Sequence, residues 1–120
     1  MEFENRFEIK KWLEVRTTIG YKYIPVKQII FIKAENKTST IFFDDLSSIK
    51  TNHLIKWYQE KLDDHIFIRC HNSYIVNCLN IEFFCGSTII TRGNFRIPIS
   101  RNYKLQFKNK YDFFYKNDNI

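Results

Sequence analysis

The residues best suited to chemistry lie in one short polar segment between two apolar stretches. Residues 67–77 read FIRCHNSYIVN, so a polar group separates two strand-like runs. Asparagine can pair bidentately with adenine and arginine with guanine in the major groove, whereas serine and histidine suit phosphate oxygens. Asparagine and serine also favour turns, and the residue types alone favour a simple hairpin turn over a contact loop. The polar side chains in question are Arg69, His71, Asn72 and Ser73.

An adjacent cysteine and histidine, Cys70 and His71, raise the question of nucleophilic catalysis. Neighbouring strand residues point to opposite faces, and no glycine cluster offers an oxyanion hole, so a small Cys–His hydrolase is the weakest hypothesis. With Cys78 and Cys85 the pair gives four potential metal ligands, but their spacing does not match a zinc knuckle. We therefore expect no enzyme, no cofactor, no metal and no small-molecule substrate, and we expect three buried, reduced thiols.

The charge of the chain is concentrated near its C-terminal end. The 120 residues carry a net charge of +6, and residues 92–116 alone hold seven basic side chains against Asp112. The remainder is therefore neutral. A local excess of this kind favours a polyanion, either nucleic acid or an anionic membrane surface. A solvated basic tail that only maintains solubility is the alternative.

The overall composition limits the class of protein. A chain of 120 residues is sufficient for one domain. The sequence has no apolar run of the roughly 18 residues needed to span a bilayer. Its N-terminus, MEFENR, is acidic and mixed, unlike a secretory signal. We expect a cytoplasmic protein.

Most of the chain predicts short antiparallel strands, because apolar and polar residues alternate and β-branched and aromatic residues are frequent. Asn36-Lys37 suits a hairpin loop, and Gly86 and Gly93 suit turns that need a positive φ. Pro98 cannot donate to a ladder, so its strand is expected at a sheet edge. The predicted strands are 13–16, 29–32, 38–43, 66–70, 74–76, 81–84, 88–91 and 95–99.

One amphipathic helix is predicted at about 52–62, capped by the side chain of Asn52, because apolar residues recur there every four positions. His53 and His65 flank this helix and are expected to face solvent. Ser100 is expected to cap a short C-terminal helix, with a frayed tail after Lys110.

Two separated motifs carry a resemblance to the LytTR family of DNA-binding domains. Residues 67–77 resemble the family's Arg-x-His-x-Ser-Tyr-x-Val-Asn pattern, and residues 97–104, IPISRNYK, resemble its second hallmark. Residues 29–34, IIFIKA, stand in place of its early strand, although Lys33 replaces a frequent acidic residue. The resemblance covers residues 13–107, which leaves 1–12 as an N-terminal extension and 108–120 as a C-terminal tail.

The resemblance implies a mainly β fold of elongated, stacked antiparallel sheets with one helix, and a bacterial transcription regulator that reads double-stranded DNA. Loops between strands would enter successive major grooves. Asn72, where arginine or lysine is commoner, would shift the preferred base from guanine towards adenine. The implied base contacts are Asn72, Arg101 and Ser39, and the implied phosphate contacts are Lys37, Arg69, His71, Ser73, Asn102 and Lys104.

The resemblance also implies an assembly on DNA. Family members often bind direct repeats about a helical turn apart, so we expect two copies on one face of the promoter DNA. Many members carry an N-terminal receiver domain, and the dozen residues before Leu13 are too few for one, so a stand-alone member is expected. The alternative function is a receiver-less protein-interaction module, controlled by or bound to a membrane or signalling partner.

Overall fold

The computed structural model describes residues 11–117, which form three antiparallel sheets and two α-helices. This architecture confirms the mainly β class. In chain order the elements are β1 Trp12–Thr17, β2 Gly20–Pro25, β3 Ile29–Glu35, β4 Thr38–Phe43, β5 Ser48–Thr51, α1 Ile55–Lys61, β6 Phe67–His71, β7 Tyr74–Asn77, β8 Ile81–Cys85, β9 Thr88–Thr91, β10 Arg96–Pro98 and α2 Lys104–Asn117.

The central sheet has five strands in the order β5-β4-β3-β7-β6, with β3 in the middle. Residues 29–32 of β3 are all buried, as expected for a continuous apolar run covered on both faces. A two-stranded sheet pairs β1 with β2, and a three-stranded sheet has the order β10-β9-β8. The described residues span 44 × 41 × 24 Å, so the sheets form a broad, flat body.

Three connecting segments leave the central sheet at the same end. Lys33 pairs with Tyr74, and Ser39 pairs with Thr51. Because both pairings are antiparallel, the β3–β4 hairpin, the β6–β7 loop and the segment after β5 emerge side by side. The backbone N–H of Ala34 donates to the Ser73 carbonyl at 2.8 Å and ties two of them together. We call this end of the sheet, with segments 36–37, 52–54 and 72–73, the loop edge.

Helix α1 begins three residues later than predicted. It starts after Leu54, which makes no side-chain cap, and it ends at Lys61. Asn52 does not cap it, because the Asn52 backbone bonds to β1: its N–H donates to the Arg16 carbonyl and its carbonyl accepts from the Arg16 guanidinium, both at 2.8 Å. The buried face of the helix holds Ile55 and Tyr58.

Every predicted strand is present, and the structure has two further strands, β2 and β5, that the sequence did not predict. Both are flanked by turn residues and carry exposed side chains, so neither shows a clear apolar stripe. The turn predictions are confirmed at Gly86 and Gly93, whose φ angles are +62° and +80°. The strand that contains Pro98 is an edge strand, as predicted.

Helix α2 is longer and better packed than predicted. It runs for 14 residues to Asn117, so the expectation of a short helix with a frayed tail after Lys110 is wrong. Its Phe107 and Phe114 are buried, and the Tyr115 hydroxyl donates to the Cys78 carbonyl at 3.0 Å. A 3-10 turn at Arg101–Tyr103 precedes it, and the Ser100 side chain makes no cap hydrogen bond. Within residues 11–117 neither helix has the length and hydropathy that a bilayer crossing requires.

Candidate nucleic-acid interface

The side chain of Arg69 holds the β6–β7 loop through hydrogen bonds to its backbone carbonyls. Its Nε donates to the His71 carbonyl at 2.8 Å, and its Nη2 donates to the Asn72 carbonyl at 2.6 Å. A third donor, Nη1, bonds to Gln59 Oε1 at 2.6 Å. Three of the five guanidinium N–H groups are thus used inside the protein. We therefore interpret the half-buried Arg69 as the residue that holds this loop, in place of the phosphate contact predicted for it.

The loop presents two of the predicted phosphate-binding side chains. His71 Nδ1 accepts a hydrogen bond from the Ser73 backbone N–H at 3.0 Å. In the neutral imidazole this leaves the proton on Nε2, which is the correct form to donate to a phosphate oxygen. His71 and Ser73 are both half-buried at the loop edge. A bulge in β6 between Arg69 and His71 interrupts the strand register there.

The two sequence motifs meet at Asn72. The Tyr103 hydroxyl donates to Asn72 Oδ1 at 3.1 Å, although the two residues are 31 positions apart. The Arg69 guanidinium lies 5.7 Å from the centre of the Tyr103 ring. The backbone N–H of Ser100 donates to the Cys70 carbonyl at 3.0 Å. The second motif is therefore fixed directly beside the first.

The Tyr103 bond also sets the direction of the Asn72 amide. Because Oδ1 accepts from the phenol, Nδ2 points away from Tyr103 and Oδ1 keeps a second lone pair. Asn72 is exposed, so both groups are accessible. This is the donor and acceptor pair that adenine N7 and N6 require. Sequence reasoning gave Tyr103 no role, although it lies within the second motif.

Three further predicted contact residues follow Ser100 and are exposed: Arg101, Asn102 and Lys104. Arg101 and Asn102 lie in the 3-10 turn, and Lys104 is the first residue of α2. All three therefore lie next to the β6–β7 loop that Tyr103 contacts.

The β3–β4 hairpin exposes one of its two predicted contact residues and buries the other. Lys37 is exposed at the tip of the β3–β4 hairpin, after Asn36 with φ +58°. Ser39 is fully buried, and its hydroxyl donates to the His53 carbonyl. The predicted base contact of Ser39 is therefore wrong. Side chains alternate between the two faces along β4, and Ser39 lies on the inward face with Ile41 and Phe43.

His53 is buried, contrary to the expectation that it faces solvent. Its ring stacks on Trp57 at a centroid distance of 3.5 Å, and its Nε2 accepts from the Arg16 backbone N–H at 3.0 Å. Burial lowers the pKa of His53, and the nearby Arg16 charge lowers it further. His53 is thus a buried structural residue within segment 52–54 of the loop edge.

The adjacent Cys70 and His71 do not form a catalytic pair. Cys70 is fully buried, its Sγ lies 3.8 Å from the Tyr74 carbonyl oxygen, and burial raises the pKa of its thiol to about 12. His71 instead bonds to the Ser73 backbone. Cys78 is buried as well, and burial raises the pKa of its thiol. Cys85 is exposed, so the expectation of three buried thiols is wrong for this residue.

These differences predict selective labelling of the thiols. A thiol reagent at neutral pH should modify Cys85 quickly and should reach Cys70 and Cys78 only when the protein unfolds, because the thiolate is the reactive form. Mass spectrometry of the labelled native protein checks this. The Cys85→Ser variant is the control and should show no fast phase. Fast labelling of Cys70 in that variant would contradict the buried, protonated state.

Comparisons with known proteins agree with this geometry. A protein-family model described as the LytTr DNA-binding domain matches residues 20–112. A solved structure, described as the LytTr DNA-binding domain of a methyl-accepting/DNA response regulator from Bacillus cereus, superposes with a TM-score of 0.71 at 24% sequence identity. The match covers 84% of this chain and 96% of that one. A search of curated proteins finds no match.

Proposed function

Since this chain belongs to the LytTR family of DNA-binding domains, whose members bind DNA and regulate transcription, we propose that it recognises a specific double-stranded sequence through its loop edge and the adjoining turn. The proposal assigns base contacts to Asn72 and Arg101. It assigns phosphate contacts to the donors around them, which are Lys37, His71, Ser73, Asn102 and Lys104.

The observation that carries this proposal is the hydrogen bond between Tyr103 and Asn72. It holds the turn that carries the exposed Arg101 beside the loop that carries the exposed Asn72, although the two residues come from separate motifs. An amide suits adenine and a guanidinium suits guanine, so the pair can discriminate bases and not only attract phosphates. The positive charge of residues 92–116 then supplies the attraction that is independent of sequence.

We further propose that two copies bind direct repeats on one face of the duplex, a whole number of helical turns apart. The longest Cα extent is 44 Å, and one turn of B-DNA spans about 34–36 Å. A single copy therefore covers little more than one turn. Two copies whose long axes follow the duplex fit side by side when the repeats are two turns apart.

Selection from a random double-stranded library at physiological salt tests the proposed function. We expect enrichment of one short motif, repeated in the same orientation. Affinity for that site should fall roughly 10- to 100-fold between about 50 and 200 mM salt, because each neutralised phosphate releases counterions. Electrophoretic shift or fluorescence anisotropy measures the affinity.

The control for this experiment is a duplex of scrambled sequence and equal length. It should bind more weakly while it keeps a similar salt dependence, because phosphate contacts do not depend on sequence. A library that shows no enrichment after several rounds, or binding that is insensitive to salt, would contradict the proposal.

A further inference from the structure

An open cleft of about 680 Å³ lies at the loop edge, on the side of Lys37 that faces away from Asn72. Its walls come from β1, the β3–β4 hairpin, the segment after β5 and the first turns of α1. The residues that matter here are Arg16, Lys37, Lys56, Trp57 and Glu60. We call it the Lys56 cleft.

Strand register aligns this cleft with the proposed DNA-contacting loops. Thr51, the last residue of β5, pairs with Ser39 at the start of β4, and Lys33 near the end of β3 pairs with Tyr74 at the start of β7. The segment after Thr51, the 36–37 hairpin and the 72–73 loop therefore follow one another across the loop edge. The Lys56 cleft therefore lies at the end of this row of segments, beyond Lys37, the last of the proposed DNA contacts.

Among the described residues, the lining of the cleft carries an excess of positive charge. It has three cations, Arg16, Lys37 and Lys56, against one carboxylate, Glu60. Within residues 11–117, none of the three cations forms an ion pair. All three are exposed. One Arg16 donor bonds to the Asn52 carbonyl at 2.8 Å, which fixes its guanidinium against the cleft wall and leaves further N–H groups accessible.

The wall behind these cations is rigid. The indole of Trp57 stacks on His53 with their rings 8° from parallel, and it meets Tyr58 edge to face at a centroid distance of 4.9 Å. Tyr58 is fully buried and bonds to Thr51 at 2.5 Å. Lys56 therefore projects from a helix turn whose neighbours are fixed in the core. A fixed, open, cationic surface suits an extended polyanion better than an enclosed small ligand.

We infer that the Lys56 cleft is an additional contact for the DNA backbone, which takes phosphodiester groups of the duplex beyond the base pairs next to Lys37. This inference rests on the proposed function, because it requires the loop edge to face DNA. It extends the interface from the loops and turn named above to β1 and α1, and it adds Arg16 and Lys56 to the phosphate-binding residues.

The test compares duplexes that carry a single copy of the selected motif, which binds one protein molecule, with about ten extra base pairs on neither side, on one side or on the other. Full-length wild-type protein should gain about three- to tenfold in affinity from the extension on one side only. Lys56→Gln should lose most of that gain, and it should lower the slope of log affinity against log salt by about one on the extended duplex. On the duplex without extensions, Lys56→Gln should bind like the wild type.

Two variants are controls for this test. Lys27→Gln removes an exposed lysine at the opposite end of the central sheet and should leave every affinity unchanged. Lys56→Arg keeps the charge and should restore the gain. Thermal melting establishes that each variant is folded.

Two results would overturn the inference while the proposed function stands: equal affinity for all three duplexes, or a Lys56→Gln variant that keeps both the gain and the wild-type salt slope. Failure of the wild type to bind any selected duplex would instead overturn the proposed function and this inference together.

Discussion

Replacing Arg101 with alanine should abolish most of the discrimination at one base pair of the selected site. A bidentate arginine–guanine pair contributes about 1–3 kcal/mol of discrimination, so the preference for the correct base pair should fall roughly 5- to 150-fold. Arg101 is exposed in the turn before α2, with the neighbouring Tyr103 bonded to the β6–β7 loop, so its backbone position does not depend on its side chain. Competition titrations with the site and with single-base-pair variants measure the change.

Arg96→Ala is the matched control for this prediction. Arg96 is also exposed and lies in the same basic segment, on edge strand β10. Its loss should lower the affinity for all sequences by a similar small factor and should leave the ranking of sequences unchanged. A variant Arg101→Ala that still ranks the base pairs like the wild type would contradict the proposed base contact.

Phe107→Ala should lower the free energy of unfolding by about 3–5 kcal/mol, the usual cost of truncating a buried aromatic side chain. Phe107 is fully buried, with its ring at a centroid distance of 5.2 Å from Phe84 on the three-stranded sheet and 5.7 Å from Tyr111. The truncation leaves a cavity between α2 and that sheet. Denaturant and thermal unfolding followed by circular dichroism measure the loss.

Leu105→Ala provides the comparison within the same helix. Leu105 is 75% exposed, so its truncation should change the free energy of unfolding by no more than about 0.5 kcal/mol. Equal stability of the two variants would mean that α2 does not pack as described.

The strands were predictable because their signal is local. Alternating residues in β1 and the unbroken apolar run in β3 each reflect the burial of a single strand. The length of α2 was also recoverable in principle, because Phe107, Tyr111 and Phe114 recur at helical spacing on one face. Frequent lysines between them lower the mean hydropathy and conceal that pattern. In β4 the same alternation places Ser39 on the inward face with Ile41 and Phe43, and this burial is incompatible with the predicted base contact.

The candidate site was predictable only in part, because its organisation is tertiary. Sequence motifs identify Asn72 and Arg101 as donors, but no local pattern indicates that Tyr103 bonds to Asn72 across the interface. The structural role of Arg69 in the loop is likewise tertiary, because its guanidinium also bonds to Gln59 of helix α1. His53 looked like a surface residue beside a helix, and only the packing of β1 against the segment after β5 buries it.

The bond between Tyr103 and Asn72 has a consequence for how binding sites should be scored. Arg101 lies two residues before Tyr103 in the same 3-10 turn, so under the proposed contacts a base pair that displaces Arg101 should also disturb the residue that orients Asn72. Residues that are coupled through a shift of the same backbone turn give energies that do not add. Mismatch costs at the two base pairs should therefore be smaller in combination than their sum, and an additive weight matrix will underrate promoters that carry both mismatches.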